Sequence, residues 1–96
     1  MMRVKVQTIL DLVPILGGSQ VEIEVPEGAT VRSAMEALVE RFGEKLKKKL
    51  INPEDGQPHP YFRLVLNGRD LGPYKGLDSP LQEGDTLLII PPAAGG

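Results

Sequence analysis

The chain has 96 residues, no cysteine and a net charge of −2, with 41% hydrophobic and 25% charged residues. This length suits one domain with a modest core, and the lack of cysteine excludes disulfides, thiolate nucleophiles and cysteine-based metal sites. The small net charge excludes the strong basic excess typical of nucleic-acid binders. The longest apolar run, Leu87 to Pro92, is too short to cross a bilayer, and the start of the chain lacks the apolar stretch of a signal peptide, so we expect a cytoplasmic protein without membrane or nucleic-acid partners.

Two strands are predicted near the start of the chain. From Arg3 to Leu10, and again from residue 21 to residue 25, apolar or β-branched residues alternate with polar ones. This period of two indicates half-buried strands, and Gly17-Gly18 indicates the connection of a hairpin. The segment 11–16 between the strands is unusually apolar for a loop. It completes either the core or a surface for a partner.

The period then changes to that of a helix. Thr30 is the predicted N-cap, because its hydroxyl can accept a bond from an unpaired backbone N–H. Apolar residues follow in one amphipathic stripe: Val31, Ala34, Met35, Leu38, Val39 and Phe42. Gly43 is a predicted stop. A second short helix is predicted to carry Leu46 and Leu50 one turn apart and to end before Asn52.

The last third of the chain predicts more strands. A loop rich in proline occupies Asn52 to Pro60, and a strand follows from Phe62 to Leu66. Asn67-Gly68 is a strong signal for a type I′ hairpin turn, with a short strand starting near Arg69. A nearly continuous apolar strand runs from Thr86 to Ile90. We therefore predict an α+β fold: a mixed sheet of four to five strands, with one main helix on one face and the first and last strands parallel.

The segment after the last strand is Pro91-Pro92-Ala93-Ala94-Gly95-Gly96. Its composition indicates a role separate from that of the sheet. The two prolines lack backbone N–H donors, so we do not expect the sheet to continue through them. Residues 92–96 carry only small side chains and reach roughly 17 Å when extended, which suits entry into a narrow channel of another protein. A terminal glycine offers a carboxylate with no Cβ to obstruct attack. We predict a domain over residues 1–92 and a flexible tail over 93–96.

The ending from Gly84 to Gly96, the turn Leu66-Asn67-Gly68 and the order of elements resemble the small subunit of molybdopterin synthase, MoaD. They are also similar to the wider sulfur carriers, which include ThiS and the archaeal ubiquitin-like modifiers. The resemblance covers nearly the whole chain in layout and is specific in the last thirteen residues. It implies the β-grasp, ubiquitin-like form of the α+β fold.

The same resemblance implies a chemistry and a set of partners. Gly96 would be adenylated by an ATP-dependent, MoeB-like activating enzyme and converted to a thiocarboxylate, with Gly95 as its flexible neighbour. The tail would then enter a MoaE-like large subunit of molybdopterin synthase and donate sulfur to a pterin precursor. Pro91, Pro92, Ala93 and Ala94 would contact these partners. The chain itself would be a carrier without catalysis, bound metal or cofactor.

Two other functions stay open at this stage. The chain could be a protein modifier joined to lysines through Gly96, or a sulfur donor for RNA thiolation or thiamine synthesis. It could also be a β-grasp interaction domain with a chemically idle tail. The segment 44–60 is long for a minimal member of the family and could alter the choice of partner.

Other charged groups favour structural explanations. Four lysines between residues 45 and 49 could bind an anion, but a solvated helix face above Leu46 and Leu50 is the favoured interpretation. His59 is predicted to be a surface loop residue, because no spacing supplies it with metal or catalytic partners. Glu22 and Glu24 are expected opposite Arg3 and Lys5 on the neighbouring strand. The sequence has no glycine-rich phosphate loop and no Ser/His/Asp nucleophile set.

Overall fold

The computed structural model describes residues 1–56, 59, 62–72 and 75–91. In these residues, five strands form one sheet in the order β2-β1-β5-β3-β4. The strands are β1 (Met2–Thr8), β2 (Gln20–Val25), β3 (Arg63–Leu66), β4 (Arg69–Asp70) and β5 (Thr86–Ile90). The helices are α1 (Val13–Leu16), α2 (Val31–Phe42) and α3 (Glu44–Leu50), with 3-10 turns at Leu10–Leu12 and Lys75–Asp78.

The sheet is mixed, as predicted. The first strand pairs with β2 in antiparallel register and with β5 in parallel register, and β3 pairs with β5 on its other side. The last strand is therefore central. Residues on one side of β1 and β5, including Val4, Val6, Leu87 and Ile89, are buried against the helices, while the residues between them are exposed or half-buried.

The prediction of the first strand was wrong at its end. The strand stops at Thr8 instead of continuing to Leu10, because Leu10 has a φ of 59° and a 3-10 turn begins there. A residue with this φ is outside the extended region that a strand requires.

The segment between the first two strands belongs mainly to the core. Leu12 and Leu16 are buried in the hydrophobic core, with exposures of 1% and 4%, and each is the buried residue of one of the two short helical turns. Gly17 follows in the left-handed region at φ 78°, where glycine adopts the conformation without steric cost. Gly17-Gly18 thus belongs to the connection of the β1–β2 hairpin, as predicted, and two short helical turns precede it.

The main helix begins and ends as predicted. Thr30 and Ser33 form a reciprocal capping box, in which the Thr30 side chain accepts from the Ser33 N–H and the Ser33 hydroxyl accepts from the Thr30 N–H. Gly43 ends the helix at φ 80°. The stripe is buried at four positions, Val31, Ala34, Met35 and Leu38, and half-buried at Val39 and Phe42.

The second helix is also confirmed. In α3, Leu46 and Leu50 are buried and the four lysines are exposed, which is the solvated helix face favoured by the sequence. The hairpin turn after β3 has positive φ at both Asn67 and Gly68, as a type I′ turn requires. None of the helices in the described ranges has the length and apolarity needed to cross a membrane.

Candidate functional site

The candidate site lies where the central strand ends and the C-terminal segment begins. Leu64 of β3 lies opposite Ile89, and Arg63 lies opposite Ile90, while Thr8 of β1 pairs with Ile89 on the other side. The buried Thr8 hydroxyl also donates a hydrogen bond of 2.9 Å to the Ile89 carbonyl. The last strand is thus held on both sides up to its final residues, so the start of the segment has a defined position in the fold.

The predicted site residues divide at this point. Pro91 is buried at the end of the sheet. Pro92, Ala93, Ala94, Gly95 and Gly96 lie outside the described residues. The assignments of Gly96 as the carried carboxylate, of Gly95 as its neighbour and of the preceding residues as partner contacts stay predictions.

The face of the sheet turned away from the helices has a partly apolar centre. Leu88 and Ile90 of β5 and Val65 of β3 are half-buried there, and Val65 lies directly opposite Leu88. Beside them, Arg63 and Asp70 form a salt bridge between β3 and β4. The pKa of the Asp70 carboxyl is lowered, first by the hydrogen bond that Arg63 donates to it and then by the hydrogen bond from the Gly72 N–H. The pairing with Asp70 in turn raises the pKa of Arg63.

Sequence reasoning missed two exposed apolar residues at the same end of the sheet. Ile9 and Leu10 are 43% and 57% exposed. Because they directly follow Thr8, the last residue of a strand that runs parallel to β5, they lie at the end of the sheet where β5 also ends. The signal was present in the alternation itself: Ile9 falls on the polar side of the first strand, with Lys5 and Gln7.

In the part of the chain that the structure describes, the other charged groups do not cluster into a catalytic or metal-binding site. No group of three or more His, Asp or Glu side chains has metal-binding geometry in that part. His59 is half-buried, and its ring lies 6.3 Å from that of Phe62. Glu24 and Glu22 lie opposite Arg3 and Lys5 as predicted, although these pairs are not among the salt bridges within 4.0 Å found there.

A five-stranded mixed sheet, a main helix across one face and a C-terminal segment leaving the central strand define a ubiquitin-like β-grasp protein. The model of the ThiS family matches residues 9–96, and the chain belongs to this family. Small archaeal modifier protein 3 of Haloferax volcanii is 30% identical over 82 residues, covering 85% of this chain and 86% of that protein. A protein of Archaeoglobus fulgidus named "Putative sulfur carrier protein" is 32% identical over 79 residues, covering 81% and 88%.

Solved structures agree with this placement. The crystal structure of SAMP1 from Haloferax volcanii is similar with a TM-score of 0.83 at 26% identity, over 98% of this chain and 99% of that chain. A Pyrococcus furiosus structure titled "Putative molybdopterin converting factor, subunit 1" has a TM-score of 0.74 at 31% identity, over 97% and 100%. A chain of the Amycolatopsis orientalis BexX/CysO complex has a TM-score of 0.74 at 31% identity, over 97% and 99%. The chain is therefore a small ubiquitin-like protein of the class of ThiS/MoaD-like sulfur carriers and protein modifiers.

Proposed function

We propose that the chain is a sulfur carrier whose working group is the C-terminal carboxylate of Gly96. The carboxylate attacks the α-phosphorus of ATP in an activating enzyme, which forms an acyl-adenylate and releases pyrophosphate. Hydrosulfide then attacks the acyl carbon, AMP leaves, and Gly96 carries a thiocarboxylate. Catalysis belongs to the partner enzymes, and Gly95 gives the reacting residue an unobstructed neighbour.

One observation carries this proposal: the C-terminal segment follows directly from the central, doubly paired strand of the fold. A rigid β-grasp body with a slim segment leaving its middle strand can present that segment to another protein without rearrangement. The match to the ThiS family supports the proposal, because it extends through residue 96 and so includes the glycine pair.

We further propose the molybdopterin pathway as the destination of the sulfur. In this role the chain is the small subunit of a molybdopterin synthase, activated by a MoeB-like enzyme and docked on a MoaE-like large subunit. The similarity to the Pyrococcus furiosus protein titled as a molybdopterin converting factor subunit supports this choice. Pro92, Ala93 and Ala94 are the proposed contacts of the segment inside both partners, and Pro91, which is buried at the end of the sheet, is the proposed contact at the base of the segment.

Intact-mass spectrometry tests the proposed chemistry. The protein is incubated with the activating enzyme of the same organism, ATP, magnesium and sulfide. We expect the exchange of one oxygen for one sulfur, located at Gly96 by fragmentation. The matched control lacks Gly95 and Gly96; it should fold normally, because the deletion begins beyond the last core residue, and it should gain no sulfur. The proposal would be overturned if the wild-type protein stayed unmodified while the same enzyme preparation activated another carrier. The remaining interpretation would then be a β-grasp interaction domain with a chemically idle tail.

A protein modifier is the second candidate, supported by the Haloferax volcanii relative named as a small archaeal modifier. In that function a lysine amine attacks the acyl-adenylate, AMP leaves and an isopeptide bond forms. The two functions give different products in a lysate of the source organism. Lysine adducts that disappear when Gly96 is deleted favour the modifier, whereas a stable complex with a pterin-converting large subunit favours the carrier. Thiolated RNA or thiamine that depends on Gly96 would identify another sulfur acceptor.

A further inference from the structure

Thr8 is the only buried residue with a polar or charged side chain in the part of the chain that the structure describes, with an exposure of 2%. It ends β1 on the side of the strand that faces the core, in line with Val4 and Val6. A valine has a similar branched shape and would bury no polar group at this position. The Thr8 hydroxyl therefore needs an explanation beyond packing.

This hydroxyl connects the ends of two strands. It donates to the Ile89 carbonyl at 2.9 Å, and Thr8 and Ile89 are the last pair in the register of β1 and β5. The backbone N–H of Thr8 is used elsewhere, because it donates to the Ser19 carbonyl at 2.9 Å, just before β2. The side chain thus holds the central strand from a residue whose own backbone is fixed by its other neighbour.

The pairing of β1 with the central strand ends at this bond. Leu10 has a φ of 59° and begins a 3-10 turn, so the first strand turns away. Pro91 has no backbone N–H with which β5 could prolong the pairing. On the other side, the register of β3 with β5 ends at the pair of Arg63 and Ile90. The Thr8 bond therefore acts where the C-terminal segment starts.

The covalent structure of the next residues carries the orientation of the Ile89 carbonyl outward. This carbonyl lies in the rigid peptide plane that joins Ile89 to Ile90, so a bond to it restricts the dihedrals on both sides. A residue before proline is confined to extended or polyproline conformations, which applies to Ile90 and to Pro91. The rings of Pro91 and Pro92 also hold φ at about −65°. We therefore expect the direction set at Ile89 to persist through the proline pair, whereas residues 93–96 have no such covalent restriction.

We propose that Thr8 is a positioning residue for the adenylation of Gly96: its hydroxyl holds the Ile89 carbonyl and thereby sets the direction in which the C-terminal segment leaves the fold. The inference rests on the proposed function and deepens it, since a correct direction raises the fraction of bound chains whose carboxylate meets the α-phosphorus of ATP. Thr8 itself is too buried to touch the enzyme. Its substitution should therefore change kcat and leave the KM for the carrier unchanged.

ATP–pyrophosphate exchange with the activating enzyme of the same organism measures both constants. Thr8→Val removes the hydroxyl and keeps the branched shape, so we expect kcat to fall about tenfold at constant KM. Thr8→Ser keeps the hydroxyl, so its kcat should stay within about twofold of the wild type.

Urea unfolding of the same two variants separates positioning from stability. Thr8→Ser loses a buried methyl group and should unfold at lower urea than the wild type. Thr8→Val exchanges a hydrogen bond for apolar burial and should unfold closer to the wild type than Thr8→Ser does. A role in stability alone would make kcat follow the urea midpoint, and these variants should show the opposite order.

Asn67→Gly is the matched control, because it removes side-chain bonds at the other end of the same strand. Asn67 donates to Asp85 and accepts from the Thr86 N–H, both at 2.9 Å. Glycine keeps the positive φ of this turn position. The variant should lose stability and keep the kcat of the wild type.

A second measurement needs no enzyme. Because the chain has no cysteine, spin labels can be attached to two introduced cysteines, one at Ala94 in the segment and one at the exposed Glu24 of β2. Pulsed electron paramagnetic resonance then gives the distribution of distances between the labels. We expect a broader or shifted distribution with Thr8→Val, and an unchanged distribution with Thr8→Ser and with Asn67→Gly.

The outcomes separate the two levels of the argument. A wild-type kcat for Thr8→Val, or an equal fall in kcat for Thr8→Ser and Asn67→Gly, would overturn the positioning role alone. An unchanged distance distribution for Thr8→Val would also overturn it, without any use of the enzyme. A wild-type chain that is not adenylated would overturn the proposed function, while the distance measurement would still test how Thr8 directs the segment.

Discussion

Replacing Leu38 by alanine tests whether the helix stripe holds the sheet and helix together. Leu38 is fully buried in the middle of α2, in the cluster that includes Val4, Val6 and Leu87. Truncating a buried leucine removes its transfer free energy and leaves a cavity, at a cost of about 2–5 kcal/mol. The free energy of unfolding of a domain this small is about 5–15 kcal/mol, so the variant loses a large part of its stability.

Urea unfolding followed by far-UV circular dichroism measures this loss. We expect a lower midpoint at an unchanged m-value, and a melting temperature lower by at least about 8 °C. Glu40→Ala is the matched control, because Glu40 lies in the same helix with its side chain exposed, and its effect should stay within about 0.5 kcal/mol. A cost for Leu38→Ala that equals the cost for Glu40→Ala would refute the packing of the helix on the sheet.

Three further substitutions test local features. Thr30→Ala removes the side-chain half of the capping box and should lower the free energy of unfolding by about 1 kcal/mol; a Thr30→Ser variant that loses as much would contradict the capping role. Asn67→Gly keeps positive φ but loses two side-chain hydrogen bonds, so Asn67→Ala, which loses the bonds and resists the conformation, should unfold at lower urea than Asn67→Gly. Asp70→Asn tests the pairing with Arg63: because the folded pKa of Asp70 is lowered, its stabilisation is present above the unfolded pKa and is lost as the pH falls through the folded pKa. Wild-type and Asp70→Asn proteins should therefore differ most near neutral pH and converge in acid, and a difference independent of pH would contradict the pairing.

Most secondary structure could be predicted because it depends on local patterns. The capping box at Thr30, the stripe of α2, the glycine at position 43 and the turn Asn67-Gly68 each follow from residues within a few positions of one another. The fate of the segment 11–16 could not be predicted, since both a core role and a surface role agree with its apolar composition. Only packing against the sheet distinguishes them, and the packing buries Leu12 and Leu16.

The sequence by itself determined the elements, the family resemblance and the candidate role of the glycine pair. The tertiary structure alone decided what surrounds the base of the C-terminal segment. The bond from Thr8 to Ile89 joins residues 81 positions apart, and the bond from Lys49 to Asp11 joins residues 38 apart. Contacts of this kind depend on which strands pair and which helices meet, and no local period encodes that choice. The exposure and backbone strain of Leu10 arise for the same reason, because they appear only when the first strand ends beside the last.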